Sequence, residues 1–135
     1  MEHHREVISA DHAPKAIGPY SQAIRAGHVL YTSGQLGLDP ISGNLVSGGV
    51  EPETRQALEN LSNILSTAGA DLTSVLKTTV FLRDIADFTR MNGIYAEYFK
   101  DLPPARSAVQ VAGLPKGAAV EIEAVALIRH TSETM

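Results

Sequence analysis

Three short stretches carry residue types that could do chemistry together. Glu121-Ile122-Glu123 places two carboxylates at i and i+2 in an alternating segment. Strand geometry puts such a pair on one face, about 6–7 Å apart. If that face is shielded from water, one carboxyl rises toward the range useful for moving protons. The other reading is a structural glutamate paired with a neighbouring Lys or Arg. Pro104-Ala105-Arg106-Ser107-Ala108 sets an arginine at the start of a strand, behind two rigid prolines. A guanidinium binds a planar carboxylate through two hydrogen bonds and stays charged. The same arginine could instead form an ordinary surface ion pair. Gly18-Pro19-Tyr20 is a turn that would hold a phenol at a fixed place, or simply half-bury a tyrosine.

Other chemistries find no support in the composition. The 135 residues contain no cysteine, which removes disulfides, thiolate metal sites and cysteine nucleophiles. The five histidines are His3, His4, His12, His28 and His130. Three fall in the first dozen positions, where solvated termini are the expected reading, so no metal site is assigned. Phosphate-binding glycine loops, a G-x-S-x-G elbow and H-E-x-x-H are missing. A net charge of −4 argues against a chain whose main partner is a nucleic-acid backbone. No apolar run nears the roughly 20 residues that span a bilayer. The first dozen residues, with Glu2, Glu6 and Asp11, look like neither a signal nor a transit peptide, so the expected location is cytoplasmic. The Asn60-Leu61-Ser62 sequon lies inside a helical pattern and is read as chance.

The elements that must position these residues follow from periodicity. Strands are predicted at 6–9, 23–26 and 29–33, the latter two joined by a Gly27-His28 turn. The Gly- and Pro-rich stretch 34–52 reads as a loop with a turn at 39–44. A helix is predicted over 53–68, with Ala57, Leu58, Leu61, Ile64, Leu65 and Ala68 in one stripe, Pro52 in its first turn and Gly69 at C′. A strand follows at 74–83. A second helix, capped by Asp84 or Asp87, runs to about residue 100, and strands at 106–111 and 119–129 complete the chain. The order is β-β-β-α-β-α-β-β. The expectation is one α/β (α+β) domain over 1–135, with flexible ends at 1–5 and 131–135. In the last strand Val120, Ile122, Ala124, Ala126 and Ile128 point one way, while Glu121, Glu123, Val125 and Leu127 point the other. Two helices cover one face of a sheet. The second face still carries apolar groups, which implies self-association.

Taken together, AIGPYSQA (16–23), YTSGQLGLDP (31–40), GGV ahead of TRQALENL (54–61), KTTVFLRD (77–84) and PARSAVQVAGLPKGAAVEIEAVA (104–126) resemble the RidA/YjgF family of enamine/imine deaminases. The resemblance runs from about Val7 to Arg129. It implies a chorismate-mutase-like fold, with two helices on one face of a mixed six-stranded sheet, and a homotrimer whose sheets form a central barrel with clefts between subunits. It also implies hydrolysis of 2-imino and 2-enamino acids, such as 2-iminobutanoate and 2-iminopropanoate, to 2-keto acids and ammonia. These intermediates come from pyridoxal-phosphate enzymes. By the same resemblance Arg106 grips the substrate carboxylate and Glu121 positions and activates water. Tyr20, Ser33, Gly34 and Asn92 line the cleft, and the backbone carbonyl of Ala108 faces the reacting centre. No cofactor or metal is implied. Many relatives carry Cys where this chain has Ala108, a change that a role for the backbone carbonyl tolerates. Asn92 sits mid-helix beside Gly93, a poor place by propensity, so something other than helix stability selects the pair.

Two other functions fit the same resemblance. Animal members are described as endoribonuclease-type inhibitors of translation, for which Lys15, Arg25, Lys77, Arg83 and Arg106 would have to form a patch. A non-catalytic, chaperone-like small-molecule module would use the same cleft without turnover.

Overall fold

Alternation in the last strand organises the sheet. Buried and half-buried positions alternate along β7 (Val120–Leu127), the central strand of the computed structural model, which describes residues 4–129. The remaining elements, in chain order, are β1 (Arg5–Ile8), β2 (Ala23–Ala26), β3 (Val29–Thr32), β4 (Gln35–Leu36), α1 (Val50–Thr67), β5 (Val75–Leu82), α2 (Phe88–Tyr98) and β6 (Ala105–Gln110). The strands lie in the order β1-β2-β3-β7-β5-β6, with β4 also on β7. β5 and β6 run parallel across the α2 connection and every other pairing is antiparallel. His3, His130 and most of the two expected flexible ends fall outside the described residues, and Arg5 already belongs to β1.

The sheet has seven strands, not the six expected, and the order gains a fourth strand before α1. The extra strand, β4, lies in the stretch read as loop. Its two residues are too few to show alternation, and what defines them is pairing, Gln35 with Ile122 and Leu36 with Glu121. Upstream, Tyr31 pairs with Val125. Residues 32–34 therefore face only 123–124, which is a β-bulge. Thr32 Oγ1 accepts the Ala124 N–H at 3.0 Å inside this irregularity.

Helix α1 buries Ala57, Leu58, Leu61, Ile64 and Leu65 completely. It begins three residues before the expected start, at Val50, so Pro52 does fall in its first turn. Gly69 (φ 85°) closes it at C′ as anticipated. The Ala70 N–H donates to Leu65 O at 2.8 Å and the Gly69 N–H to Ser66 O at 3.2 Å, a Schellman arrangement. Asn60, in the chance sequon, is fully buried, and its Nδ2 donates to Leu36 O and Leu38 O, strapping β4 to α1. The turn at 39–44 is present, with Asp39 Oδ1 accepting the N–H groups of Ile41 and Ser42. Before α2, the Asp84 carboxylate caps a short 3₁₀ turn by accepting the Ala86 N–H, whereas Asp87 pairs with Arg90.

Both helices lie on the face presented by Val120, Ile122, Ala124 and Ala126. The opposite face is open. It carries Val7, Tyr31, Val109 and Leu127, exposed by 40–57%, beside Glu121, Glu123 and Val125.

Candidate functional site

The bulge after β3 builds the first half of the site. A pocket of about 650 Å³ is lined by residues that include Lys15, Tyr20, Ser33, Gly34, Lys116 and Glu121. Gln22, itself buried, pins its rim: Nε2 donates to Ala10 O and Pro14 O, and Oε1 accepts the Ala10 N–H. Gly18 has φ 119°, a conformation that side chains disfavour. The Tyr20 N–H closes that turn on Gly18 O at 2.9 Å, and its hydroxyl accepts the Ile17 N–H at 3.3 Å. Ser33 is held by its N–H on Gln22 O and by its hydroxyl on Ser21 O.

Gly34 and Glu121 are matched by shape. A Cβ on Gly34 would sit 2.7 Å from Glu121 Cδ and 2.8 Å from Cγ, so only glycine lets the carboxylate occupy this place. Removal from water is the main force that pushes the Glu121 carboxyl above its ordinary value, and the Glu123 charge adds to it. The sequence left open which of the two glutamates is raised, and burial answers it for Glu121.

The second half lies at the β6 edge. Arg106 Nη1 donates to Asn92 Oδ1 at 2.7 Å. Its guanidinium carbon lies 4.7 Å from the Tyr95 ring centroid and 5.4 Å from that of Phe88. Phe88, Asn92 and Tyr95 recur at i, i+4 and i+7, one face of α2. Among the described residues no carboxylate pairs with Arg106, so the surface ion-pair reading fails. Asn92, expected on the cleft wall, holds the arginine through its side-chain oxygen. Nothing in the structure explains Gly93.

Ala108 follows on the same edge strand. The Val111 N–H donates to Leu82 O, so odd-numbered residues of β6 turn their backbone groups toward β5. By alternation Arg106, Ala108 and Gln110 present their N–H and C=O groups to the free edge.

The two halves do not meet in one chain. Arg106 is in register with Thr78 and Ala124, which face the helices, whereas Glu121 is in register with Phe81 on the open face. Sequence reasoning missed the aromatic clamp, although the spacing of Phe88, Asn92 and Tyr95 carried its signal. It also missed the Gln22 pin, which no local pattern marks. The basic residues named for an RNA patch are divided between local partners and the two faces of the sheet. Arg25 pairs with Glu6 at 3.8 Å, Arg83 donates to Gly117 O, and Lys77 and Arg106 occupy opposite faces.

Fold and site define a two-layer α+β protein with an arginine held by an asparagine and two rings on a sheet edge and a raised-pKa glutamate in a pocket across the sheet. Residues 10–128 match the family described as Endoribonuclease L-PSP, and the chain belongs to that family, the one also called RidA/YjgF. It is 59% identical to a human 2-iminobutanoate/2-iminopropanoate deaminase, over 91% of this chain and 90% of the relative. It is 57% identical to a mouse protein of the same name, over 91% of each. Among solved structures, the YjgF gene product of E. coli superposes with a TM-score of 0.87 at 40% identity, covering 92% of this chain and 99% of the other. RidA from an Antarctic Psychrobacter gives 0.88 at 43% identity, covering 91% and 99%. Among the described residues no helix is long and apolar enough to cross a membrane.

Proposed function

We infer that this protein hydrolyses 2-imino acids and their 2-enamino tautomers to 2-keto acids and ammonia. The observation that carries the reading is Arg106: a guanidinium already oriented by Asn92 and two rings and, among the described residues, paired with no carboxylate. It suits the planar carboxylate of an amino-acid-derived substrate. Close relatives carrying the deaminase name support the same activity.

A protonated imine is already electrophilic, so the demands on the site are modest. Arg106 fixes the carboxylate. The Glu121 carboxylate takes a proton from water as its oxygen bonds to C2, and the C=N pair moves onto nitrogen. In the resulting carbinolamine the Glu121 carboxyl returns its proton to the nitrogen. The C–N bond then breaks as the hydroxyl O–H pair forms the C=O bond, and the hydroxyl proton passes through the Glu121 carboxylate to the departing ammonia, which leaves as ammonium. The Ala108 carbonyl at the free edge can hold the nitrogen or the water, a task that needs no thiol. Tyr20, Ser33 and Gly34 shape the pocket around Glu121.

Because Arg106 and Glu121 occupy opposite faces, this chemistry needs a second subunit. We place Arg106 of one protomer against the Glu121 pocket of the next in a homotrimer whose open sheet faces pack together. The exposed apolar residues of that face and the free β6 edge support this assembly. A cytoplasmic location belongs to the same proposal, since it puts the protein beside the dehydratases that release such imines.

The test couples threonine dehydratase to this protein and follows the disappearance of 2-iminobutanoate. Wild type should accelerate hydrolysis, and Arg106→Ala should lose about 10²-fold or more, the scale for removing a positioned charge contact. Equal rates with and without the protein would overturn the deaminase.

A further inference from the structure

An arginine on an exposed strand edge has several rotors, and their freedom is lost when it grips a ligand. Orienting the side chain beforehand removes that cost from binding. The structure shows what does so here. Tyr95 is the nearer of the two rings to Arg106, at 4.7 Å against 5.4 Å for Phe88. It is also buried, with 5% exposure, and belongs to the core. Its hydroxyl shares a hydrogen bond of 2.7 Å with Thr78 Oγ1. Thr78 is fully buried and is the register partner of Arg106 on β5. The ring also packs on Phe99, with centroids 4.6 Å apart. Tyr95 thus has one polar tether, one aromatic neighbour and one charge on its face. Burial raises its phenol, opposed by Thr78 and the Arg106 charge, so the ring remains neutral and its face keeps the quadrupole that attracts a cation.

We propose that Tyr95 is a positioning residue: its ring, seated in the core, holds the Arg106 guanidinium in the orientation that reads the substrate carboxylate. Asn92 fixes the in-plane direction through one N–H and Tyr95 fixes the plane, leaving the other N–H donors for the ligand. The proposal rests on the deaminase reading and assigns a specific cause to its substrate affinity.

Steady-state kinetics on 2-iminobutanoate separate this from a core-filling role. Tyr95→Leu should raise KM about tenfold while kcat stays within about twofold, because the lost contact serves carboxylate binding. Tyr95→Phe restores the ring and should return KM to within about threefold of wild type. If Tyr95→Leu does not fold, phenylalanines of rising fluorine content at position 95 keep the shape and drain the ring face of charge. KM should then climb with each fluorine. An unchanged KM in Tyr95→Leu, or a flat KM across the fluorinated series, overturns the proposal while wild-type turnover leaves the deaminase reading intact. Wild type without turnover overturns the deaminase reading itself.

Discussion

A carboxylate partly removed from water is less stable as an anion, and the half-buried Glu121 is in that position where Gly34, lacking a Cβ, leaves room for it. Well below the ordinary carboxylate range, both folded and unfolded chains carry its proton and the residue costs no stability. As pH rises, the unfolded chain ionises first while the folded chain keeps its proton, so stability falls until pH passes the raised folded value. Glu121→Gln should therefore melt higher than wild type at neutral pH, with the difference vanishing in acid. Thermal melts at the two pH values measure this, and equal melting at neutral pH would refute a folded-state penalty. The same variant should lower kcat by about 10²–10⁴-fold and change KM far less, because the side chain acts in the transition state. Tyr20, Arg106 and the Glu121/Glu123 pair stand out in the sequence by residue type and spacing, whereas Ser33 and Gly34 enter the candidate site only through the family resemblance. What sequence could not give was which of Glu121 and Glu123 loses water, since that depends on pocket walls from residues 14–22 and 33–38. Nor did it give the partner of Asn92, since a helix residue meets a strand residue only once β5, α2 and β6 are placed.

Two glycines separate what the elements do for chemistry from what they do for stability. Gly34 lies in the bulge and Gly37 just beyond β4. A Cβ on Gly34 would meet the Glu121 side chain, whereas a Cβ on Gly37 would meet the backbone of Glu53 in α1, 2.6 Å from both Cα and O. A side chain can swing aside, but helix backbone cannot. Gly37→Ala should thus cost about 1–3 kcal/mol of stability, the range for overpacking, with the folded fraction still active. Gly34→Ala should melt nearly like wild type and lose most turnover. Urea midpoints beside kcat for the pair decide it, and the reverse pattern would refute the division. The helices and long strands were legible because each has enough residues for a period to show, as in the stripe from Ala57 to Leu65 or the alternation of β7. β4 was not, because two residues have no period and its existence depends on Ile122 and Glu121, more than eighty positions away. The start of α1 was placed late because the stripe begins at Ala57, a full turn and more inside the helix.

For the whole molecule, the decisive fact is that one sheet separates the two chemical groups. Arg106 faces the helices and Glu121 the open side, so no side-chain rotation brings them together. The alternation in β7 already implied an uncovered apolar face, and the structure places Tyr31, Val109 and Leu127 there, exposed. If subunits close on that face and each site draws Arg106 from one protomer and Glu121 from its neighbour, two dead variants can rescue each other. Arg106→Ala still supplies a working Glu121, and Glu121→Gln still supplies a working Arg106. Denatured and refolded together in equal amounts, random assembly gives a competent site wherever the first lends its glutamate pocket to the arginine of the second, about a quarter of all sites in a closed ring. Activity on 2-iminobutanoate should then recover to about a quarter of wild type, whereas either variant refolded alone stays inactive. A site contained in one chain predicts no recovery at any ratio, because every chain lacks one group. Light scattering on the same samples checks the premise: a trimeric mass is expected, and a monomer at micromolar concentration would refute both the shared site and the sheet-to-sheet packing that builds it.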